Sequence, residues 1–297
     1  MRRFTLPELT QRILSGLVLI AVALLTAWSG GLISVITFLV LGLLVLDEWE
    51  SLTGTRAPRR LIMGTLIVSF TAFAAHYLGP LSALAMAAGL LFLALGAALL
   101  ESPRRWFLTG VAYAAWLVAS LISLRGHDAI GLTALLFVFV AVWSTDIAAY
   151  FGGRTIGGPK LSPMISPNKT WAGAISGAIA AIALCLAFLV WARTSDWDIG
   201  LAAISGGRGV GLTMTAVAFV ALIAFALSFA AQVGDLFESA LKRKFGVKDS
   251  GSLLPGHGGF MDRVDGLVFA SAAAFLIGLA LRGEGTVAEG FFAFAVG

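Results

Sequence analysis

The densest group of chemically capable side chains lies between residues 232 and 265. Asp235, Glu238, Ser239 and Lys242 are spaced at i, i+3, i+4 and i+7, so they share one face if this stretch is helical. That face would present carboxylates and a cation side by side. Carboxylate oxygens are the ligands that Mg²⁺ prefers, and Lys or Arg side chains neutralise phosphate oxygens. The pattern favours a site for a metal ion and a phosphorylated substrate.

A glycine-rich segment follows this face. Glycine recurs from Gly246 to Gly259 and Pro255 interrupts the segment, which predicts an irregular loop. Because glycine has no side chain, such a backbone can approach a ligand closely. The chain then returns to a helix at Asp262. We expect Asp235 and Asp262, which end two helices at one interface, to be the best metal ligands in the chain.

The composition indicates that this group lies at the surface of a membrane. Of the 297 residues, 59% are hydrophobic and 12% are charged, and the mean hydropathy is +0.95. These values leave too few polar side chains to cover the surface of a soluble protein. The apolar residues also form long blocks, and about 20 apolar residues are needed to cross a hydrocarbon layer of roughly 30 Å.

We predict an all-α, polytopic integral membrane bundle of about nine transmembrane helices. Helices are expected because lipid offers the backbone no hydrogen-bond partners, and the apolar blocks lack the alternation of barrel strands. Within the seventh span, Gly173 and Gly177 should allow close packing against a neighbouring helix. The predicted spans are residues 12–28, 31–46, 61–78, 80–100, 106–124, 130–151, 171–192, 210–232 and 265–281.

The distribution of Lys and Arg predicts the orientation. Sixteen of the 20 lie in one alternate set of loops, whereas Arg125, Arg193, Arg208 and Arg282 lie in the other. By the positive-inside rule, the richer set is cytoplasmic. The N-terminus is therefore predicted to be cytoplasmic, and the two longest polar connections, residues 152–170 and 233–264, should face the cytoplasm together.

Residues 1–297 are expected to form a single integral membrane domain. Residues 1–128 should supply helices with little chemistry, and residues 129–297 the catalytic half, because charged and Gly/Pro-rich segments concentrate from Asp146 onward. The net charge of +4 fits anchoring to anionic lipid. It does not argue for nucleic acid, which we do not expect as a partner. Whether the protein forms a homodimer stays open.

The run that begins at Ser239 resembles the signature of the phosphatidate cytidylyltransferase family. That signature pairs Ser-x-x-Lys-Arg-x4-Lys-Asp with a closing His-Gly-Gly-x-x-Asp-Arg-x-Asp. A match of this length rarely arises by chance. The matching residues are Ser239, Lys242, Arg243, Lys248 and Asp249, followed by His257, Gly258, Gly259, Asp262, Arg263 and Asp265.

The resemblance extends upstream to residues 146–154 and 160–171, so it covers about residues 143–266. Many members have a lysine and a glutamate where this chain has Asn168 and Ala172. Lys169 and Thr170 remain, so the resemblance still implies a phosphate contact at this connection.

The resemblance implies a nucleotidyltransferase of phospholipid biosynthesis in the bacterial inner membrane, with its site facing the cytoplasm. A phosphate oxygen of phosphatidic acid would attack the α-phosphorus of CTP, releasing pyrophosphate and leaving CDP-diacylglycerol in the membrane. Because this nucleophile is already anionic, the barrier lies mainly in bringing two anions together. Mg²⁺ and several cationic side chains can offset that repulsion. One Mg²⁺ is expected, and a second metal ion stays open.

The resemblance also implies roles for individual residues. Asp235 and Asp262 are expected to bind Mg²⁺, with Asp265 either a third ligand or a residue that orients Arg263. Lys242 and Arg263 are expected to act in catalysis beside these aspartates. Contacts with CTP or phosphatidic acid are expected from Asp146, Lys169, Thr170, Ser239, Arg243, Lys248, His257, Gly258 and Gly259.

Several alternatives stay open. His257 either donates to a phosphate or is a structural histidine beside a turn. Asp146, near the end of a span, has either a functional role or a neutralising partner. Ser239 is expected to support a ligand or a helix, since no base of the usual kind accompanies it. A transporter, and a CTP-dependent lipid kinase that would release CDP instead of pyrophosphate, are the rival functions.

A second acidic group lies at the end of the second span. Asp47, Glu48 and Glu50 are followed by the arginines of the next connection, among them Arg56. We expect this group to have a structural role at the membrane interface.

Overall fold

A computed structural model describes residues 8–79, 103–194, 213–254, 258–283 and 285–292, together with the isolated residues 82, 85, 89 and 92. In this part of the chain the protein consists of helices and one β-hairpin. In order, the elements are α1 (Glu8–Ser29), α2 (Gly31–Leu52), α3 (Pro58–Tyr77), α4 (Arg104–Arg125), α5 (Ala129–Thr155), β1 (Lys160–Ser162), β2 (Ser166–Thr170), α6 (Trp171–Thr194), α7 (Met214–Lys244), α8 (Met261–Leu281) and α9 (Val287–Phe291).

Seven of the described helices, α2 to α8, are long and apolar enough to cross a membrane. Helix α1 contains a shorter apolar stretch, Ile13–Ser29. The polytopic helical membrane fold is therefore confirmed. The predicted span at residues 80–100 lies largely outside the described residues, so the count of about nine and the side of the N-terminus stay predictions.

The helices that carry the chemical residues extend beyond the predicted spans. Helix α7 continues to Lys244, whereas its apolar span was predicted to end at residue 232. Helix α8 begins at Met261, four residues before the predicted start. Hydropathy marks only the part of a helix that suits lipid, whereas backbone hydrogen bonds continue the helix into the polar sequence. Of the predicted connection 233–264, residues 233–244 and 261–264 are helical.

Helices α4 and α5 form the centre of the bundle, where Leu117 and Phe137 are fully buried. Polar side chains join the helices inside this apolar core. Thr145 Oγ1 of α5 donates to Ser228 Oγ of α7 at 2.8 Å. Such hydrogen bonds between helices add specific contacts where lipid and core side chains are equally apolar.

Helices α5 and α6 pack closely through small residues, as predicted. A Cβ atom at Gly173 would lie 2.7 Å from the carbonyl oxygen of Ala149, and one at Gly177 would lie 2.9 Å from that of Thr145. Neither distance leaves room for a side chain. The close approach holds the start of α6 beside the end of α5, where the predicted site residues lie.

The connection between α5 and α6 contains a two-stranded antiparallel hairpin, in which Lys160 pairs with Thr170 and Ser162 with Ser166. The sequence analysis did not predict these strands. The hairpin lies against α7, because Arg243 Nε donates to the carbonyl oxygen of Ile165 at 3.4 Å. The hairpin therefore lies at the end of the bundle where α7 finishes and α8 begins.

Candidate functional site

One face of α7 presents the predicted group of charged side chains. Ser239 Oγ donates to Asp235 Oδ1 at 3.4 Å, one turn away. Lys242 Nζ lies 3.1 Å from Glu238 Oε2, again one turn away. The prediction that these four residues share a helical face is confirmed. Ser239 contacts Asp235, and its expected support of a ligand or a helix stays a prediction.

The hairpin brings a second cation to this face. Lys169 Nζ, on β2, lies 2.5 Å from Asp235 Oδ2, and these two side chains are 24% and 38% exposed. The neighbouring Thr170 is buried, and its Oγ1 accepts from the backbone N–H of Gly173 at 3.1 Å. Thr170 therefore caps the start of α6, while Lys169 points toward α7.

Asp262, in the first turn of α8, has both carboxylate oxygens engaged. Its Oδ1 lies 2.6 Å from Lys242 Nζ. Its Oδ2 accepts from the backbone N–H groups of Ser250 and Gly259, both at 2.9 Å, and lies 3.0 Å from Ser250 Oγ. The carboxylate thus closes the loop between α7 and α8 and fixes the position of Lys242.

Two further aspartates face the same space. Asp265 lies one turn after Asp262 on α8, and its Oδ1 accepts from the backbone N–H of Gly266 at 2.8 Å. Asp146, on α5, is exposed to the cavity and interacts electrostatically with Asp265 and Asp235. Three helices therefore contribute carboxylates to one region.

These residues line a cavity of about 820 Å³ at one end of the bundle. The acidic and basic groups lie together in this cavity, so it combines carboxylate oxygens with cationic side chains. Neutral residues of α5, α6 and α7, such as Thr145, Ala174 and Gln232, also line it. The charged lining residues are Asp146, Arg154, Lys160, Lys169, Asp235, Glu238, Lys242, Asp249, Asp262, Arg263 and Asp265.

Other predicted site residues occupy different positions. Arg243 is exposed and holds the hairpin, and Lys248 is exposed but does not line this cavity. Gly258 has φ +81 and its carbonyl oxygen accepts from the N–H of Leu254, whereas the N–H of Gly259 binds Asp262. His257 lies outside the described residues, so its role stays a prediction.

The sequence analysis did not assign roles to several residues that the fold brings to the site. These residues are Arg154, Lys160 and Glu238, which line the cavity. The resemblance covers the segments that contain Arg154 and Lys160, but it gave neither residue a role. Glu48 of α2 accepts hydrogen bonds from the loop before α8. Nothing in its local sequence indicated this, because the contact joins residues more than 200 positions apart.

The chain is similar to known proteins along nearly its whole length. Residues 10–280 match the cytidylyltransferase family. Phosphatidate cytidylyltransferase of Brucella suis biovar 1 is 40% identical over 296 residues, covering 97% of this chain and 99% of that protein. Those of Haemophilus influenzae and Bacillus subtilis are each 41% identical over about half of both chains. The chain therefore belongs to the cytidylyltransferase family, among the phosphatidate cytidylyltransferases.

Proposed function

We propose that this protein transfers the cytidylyl group of CTP to phosphatidic acid in the cavity between α5, α7, α8 and the hairpin. A phosphate oxygen of phosphatidic acid forms a bond to the α-phosphorus of CTP. The bond between that phosphorus and the oxygen leading to the β-phosphate breaks, and pyrophosphate leaves. The observation that carries this proposal is the convergence of Lys169, Lys242 and Arg263 on one acidic cavity of a family member.

The cationic side chains are proposed to bind and align the two anionic substrates. Lys169 and Lys242 lie inside the cavity and are now paired with Asp235 and Asp262. Phosphate groups are alternative partners for both ammonium groups, so binding of CTP can exchange one ion pair for another. Arg154 and Lys160 line the cavity from the α5–α6 side. We propose that they and Arg263 neutralise the remaining phosphate charge, which lowers the repulsion between the substrates.

Asp235, Asp262 and Asp265 are proposed to hold Mg²⁺ when nucleotide is bound. The donor chemistry fits, because hard carboxylate oxygens are the preferred ligands and Asp265 and Asp235 repel each other electrostatically. Among the described residues no such group is arranged as a ready-made metal site. Lys169 Nζ lies 2.5 Å from Asp235, and Lys242 Nζ lies 2.6 Å from Asp262. Each of these two carboxylates therefore already has a positive charge beside it. Bound Mg²⁺ would supply charge neutralisation at phosphate oxygens.

The environment of the site fits a lipid substrate. The cavity is lined both by charged residues at the helix ends and by Thr145, Ala174 and Gln232 between the helices. We propose that the lipid headgroup enters from the membrane side, with the site at the cytoplasmic face of a bacterial inner membrane. No nucleic-acid partner is proposed.

The test is product analysis with purified protein in detergent, given CTP, Mg²⁺ and phosphatidic acid. We expect pyrophosphate and CDP-diacylglycerol in equal amounts, and no product when EDTA removes the metal. Asp235→Asn should lower turnover by about 10- to 100-fold or more. Asp47→Asn is the matched control, because Asp47 pairs with Arg56 and does not line the cavity. Release of CDP instead of pyrophosphate would indicate a kinase and contradict the proposal.

A further inference from the structure

A buried carboxylate from α2 lies against the loop that carries the site. Glu48 is 2% exposed, and it lies 202 positions before Ser250 in the sequence. It does not line the cavity. It therefore cannot touch a substrate there, and any effect on the reaction has to pass through the loop.

The contacts of Glu48 are with the start of α8. Its Oε1 accepts from the backbone N–H of Phe260, and its Oε2 accepts from that of Met261, both at 2.7 Å. The first N–H groups of a helix have no partner within the helix, and Phe260, the N-cap residue, provides no side-chain cap. Glu48 thus caps α8 from another helix, where a negative charge is also favoured by the helix dipole.

Two glycines of the glycine-rich loop are explained by this carboxylate. A Cβ atom at Gly251 would lie 2.7 Å from Glu48 Oε1, and one at Gly259 would meet Ser250 Oγ and the Gly251 backbone nitrogen as well as Glu48 Oε2 at 2.7 Å. Neither position leaves room for a side chain. The sequence analysis assigned the glycine pattern to close approach of a ligand, but at these two positions the backbone approaches Glu48.

A single hydroxyl joins Glu48 to the site. Ser250 Oγ lies 3.1 Å from Glu48 Oε2 and 3.0 Å from Asp262 Oδ2. Asp262 in turn lies 2.6 Å from Lys242 Nζ, which lines the cavity. The position of Glu48 is therefore linked through two contacts to the Asp262 carboxylate and through a third to the Lys242 ammonium group.

We propose that Glu48 is a positioning residue for cytidylyl transfer. It holds Ser250, Phe260 and Met261 against the end of α2 so that Asp262 and Lys242 stay in place at the cavity. This inference rests on the proposed site and extends it to a helix of the N-terminal half. The structural role expected of Glu48 is thereby given specific partners in the loop before α8 and at the start of α8.

Glu48→Gln is the direct test. The amide keeps one oxygen and replaces the other by an NH₂ group, so one backbone N–H of Phe260 or Met261 loses its acceptor. Glu50→Gln is the matched control, because Glu50 is 0% exposed and lies on the same helix but does not bind the loop. Glu48→Asp is the conservative variant, which retains both oxygens on a shorter side chain.

Four quantities are measured on each variant: kcat, KM for CTP, amide hydrogen exchange of peptides covering residues 249–262, and the thermal midpoint. For Glu48→Gln we expect kcat/KM to fall about 10- to 100-fold. Exchange in 249–262 should accelerate, and the thermal midpoint should fall below that of Glu50→Gln, because only Glu48→Gln leaves a buried backbone N–H without its acceptor. Glu48→Asp should recover part of the activity. Ser250→Ala, which removes the bridging hydroxyl, should act in the same direction with a smaller effect.

The proposal would be overturned if Glu48→Gln kept kcat/KM within twofold of the wild type. It would also be overturned if activity fell while exchange in residues 249–262 stayed unchanged, or if Glu50→Gln lost as much activity as Glu48→Gln. If Glu48→Gln failed to fold, normal activity and exchange in Ser250→Ala would reject the link to Asp262. Absence of turnover in the wild type would contradict the proposed function instead, and the exchange measurement would still test the anchoring contact.

Discussion

Lys242 carries one positive charge between two buried carboxylates. Its Nζ lies 3.1 Å from Glu238 Oε2 and 2.6 Å from Asp262 Oδ1, and these acidic side chains are 2% and 7% exposed. Lys242→Met keeps an unbranched apolar stem and removes the charge, so both carboxylates lose their cation. Removing one partner of a buried ion pair costs about 3–5 kcal/mol. We expect the free energy of unfolding to fall by about that amount.

The cause of this loss can be separated from lost packing by a second substitution. In the double variant Lys242→Met with Glu238→Gln, the least exposed carboxylate is neutral and no longer needs the ammonium group. The double variant should therefore be more stable than Lys242→Met alone. Lys244→Met is the matched control, because Lys244 is exposed in the last turn of the same helix and only overlies the Trp106 ring at 4.8 Å. Lys244→Met should lower the free energy of unfolding by less than about 1 kcal/mol.

The assay is reversible unfolding by SDS in mixed micelles, followed by tryptophan fluorescence. The midpoint and slope give the change in unfolding free energy for each variant. If the free energy of unfolding of Lys242→Met stayed within about 0.5 kcal/mol of the wild-type value, the ion pair would not stabilise the protein as a buried pair is expected to. A double variant no more stable than the single one would show that unpaired charge is not the cause.

Three further predictions concern the elements around the site. Thr170→Val removes the hydroxyl cap of α6 and should cost about 1 kcal/mol in thermal unfolding, whereas Thr170→Ser should stay near the wild type. Gly177→Val places a side chain against a carbonyl of α5 and should cost about 1–3 kcal/mol, and an unchanged melting midpoint would contradict the close packing. Asp47→Asn breaks a partly exposed pair with Arg56, so its unfolding free energy should change by less than about 1 kcal/mol.

The sequence predicted most of the fold that positions the site. Apolar blocks of about 20 residues identify membrane helices because crossing hydrocarbon requires both the length and the lack of charge. Their ends were predicted less well on the site side, where α7 continues to Lys244 and α8 starts at Met261. Helical hydrogen bonding does not stop where hydropathy changes. The hairpin was not predicted because the segment 160–170 is short and polar and lacks the alternation of apolar and polar residues that marks a half-buried strand.

The local part of the site was also predictable. Asp235, Glu238, Ser239 and Lys242 lie on one face because helical geometry relates residues three and four positions apart. The contact between Lys169 and Asp235 was not predictable, since it depends on how the hairpin packs against α7. The sequence likewise predicted metal-binding character for Asp262 without showing that loop N–H groups and Lys242 engage both its oxygens.

By itself, the sequence determined the membrane-spanning helical class, the face of charged residues on α7 and the resemblance to a family of cytidylyltransferases. These features depend on composition, helical spacing and a local motif. Only the tertiary structure decided that Glu48 of α2 caps α8, that Lys169 pairs with Asp235, and that α5, α7 and α8 bring their carboxylates to one cavity. Contacts between residues far apart in the chain depend on how helices pack, and spacing within one segment carries no information about that packing.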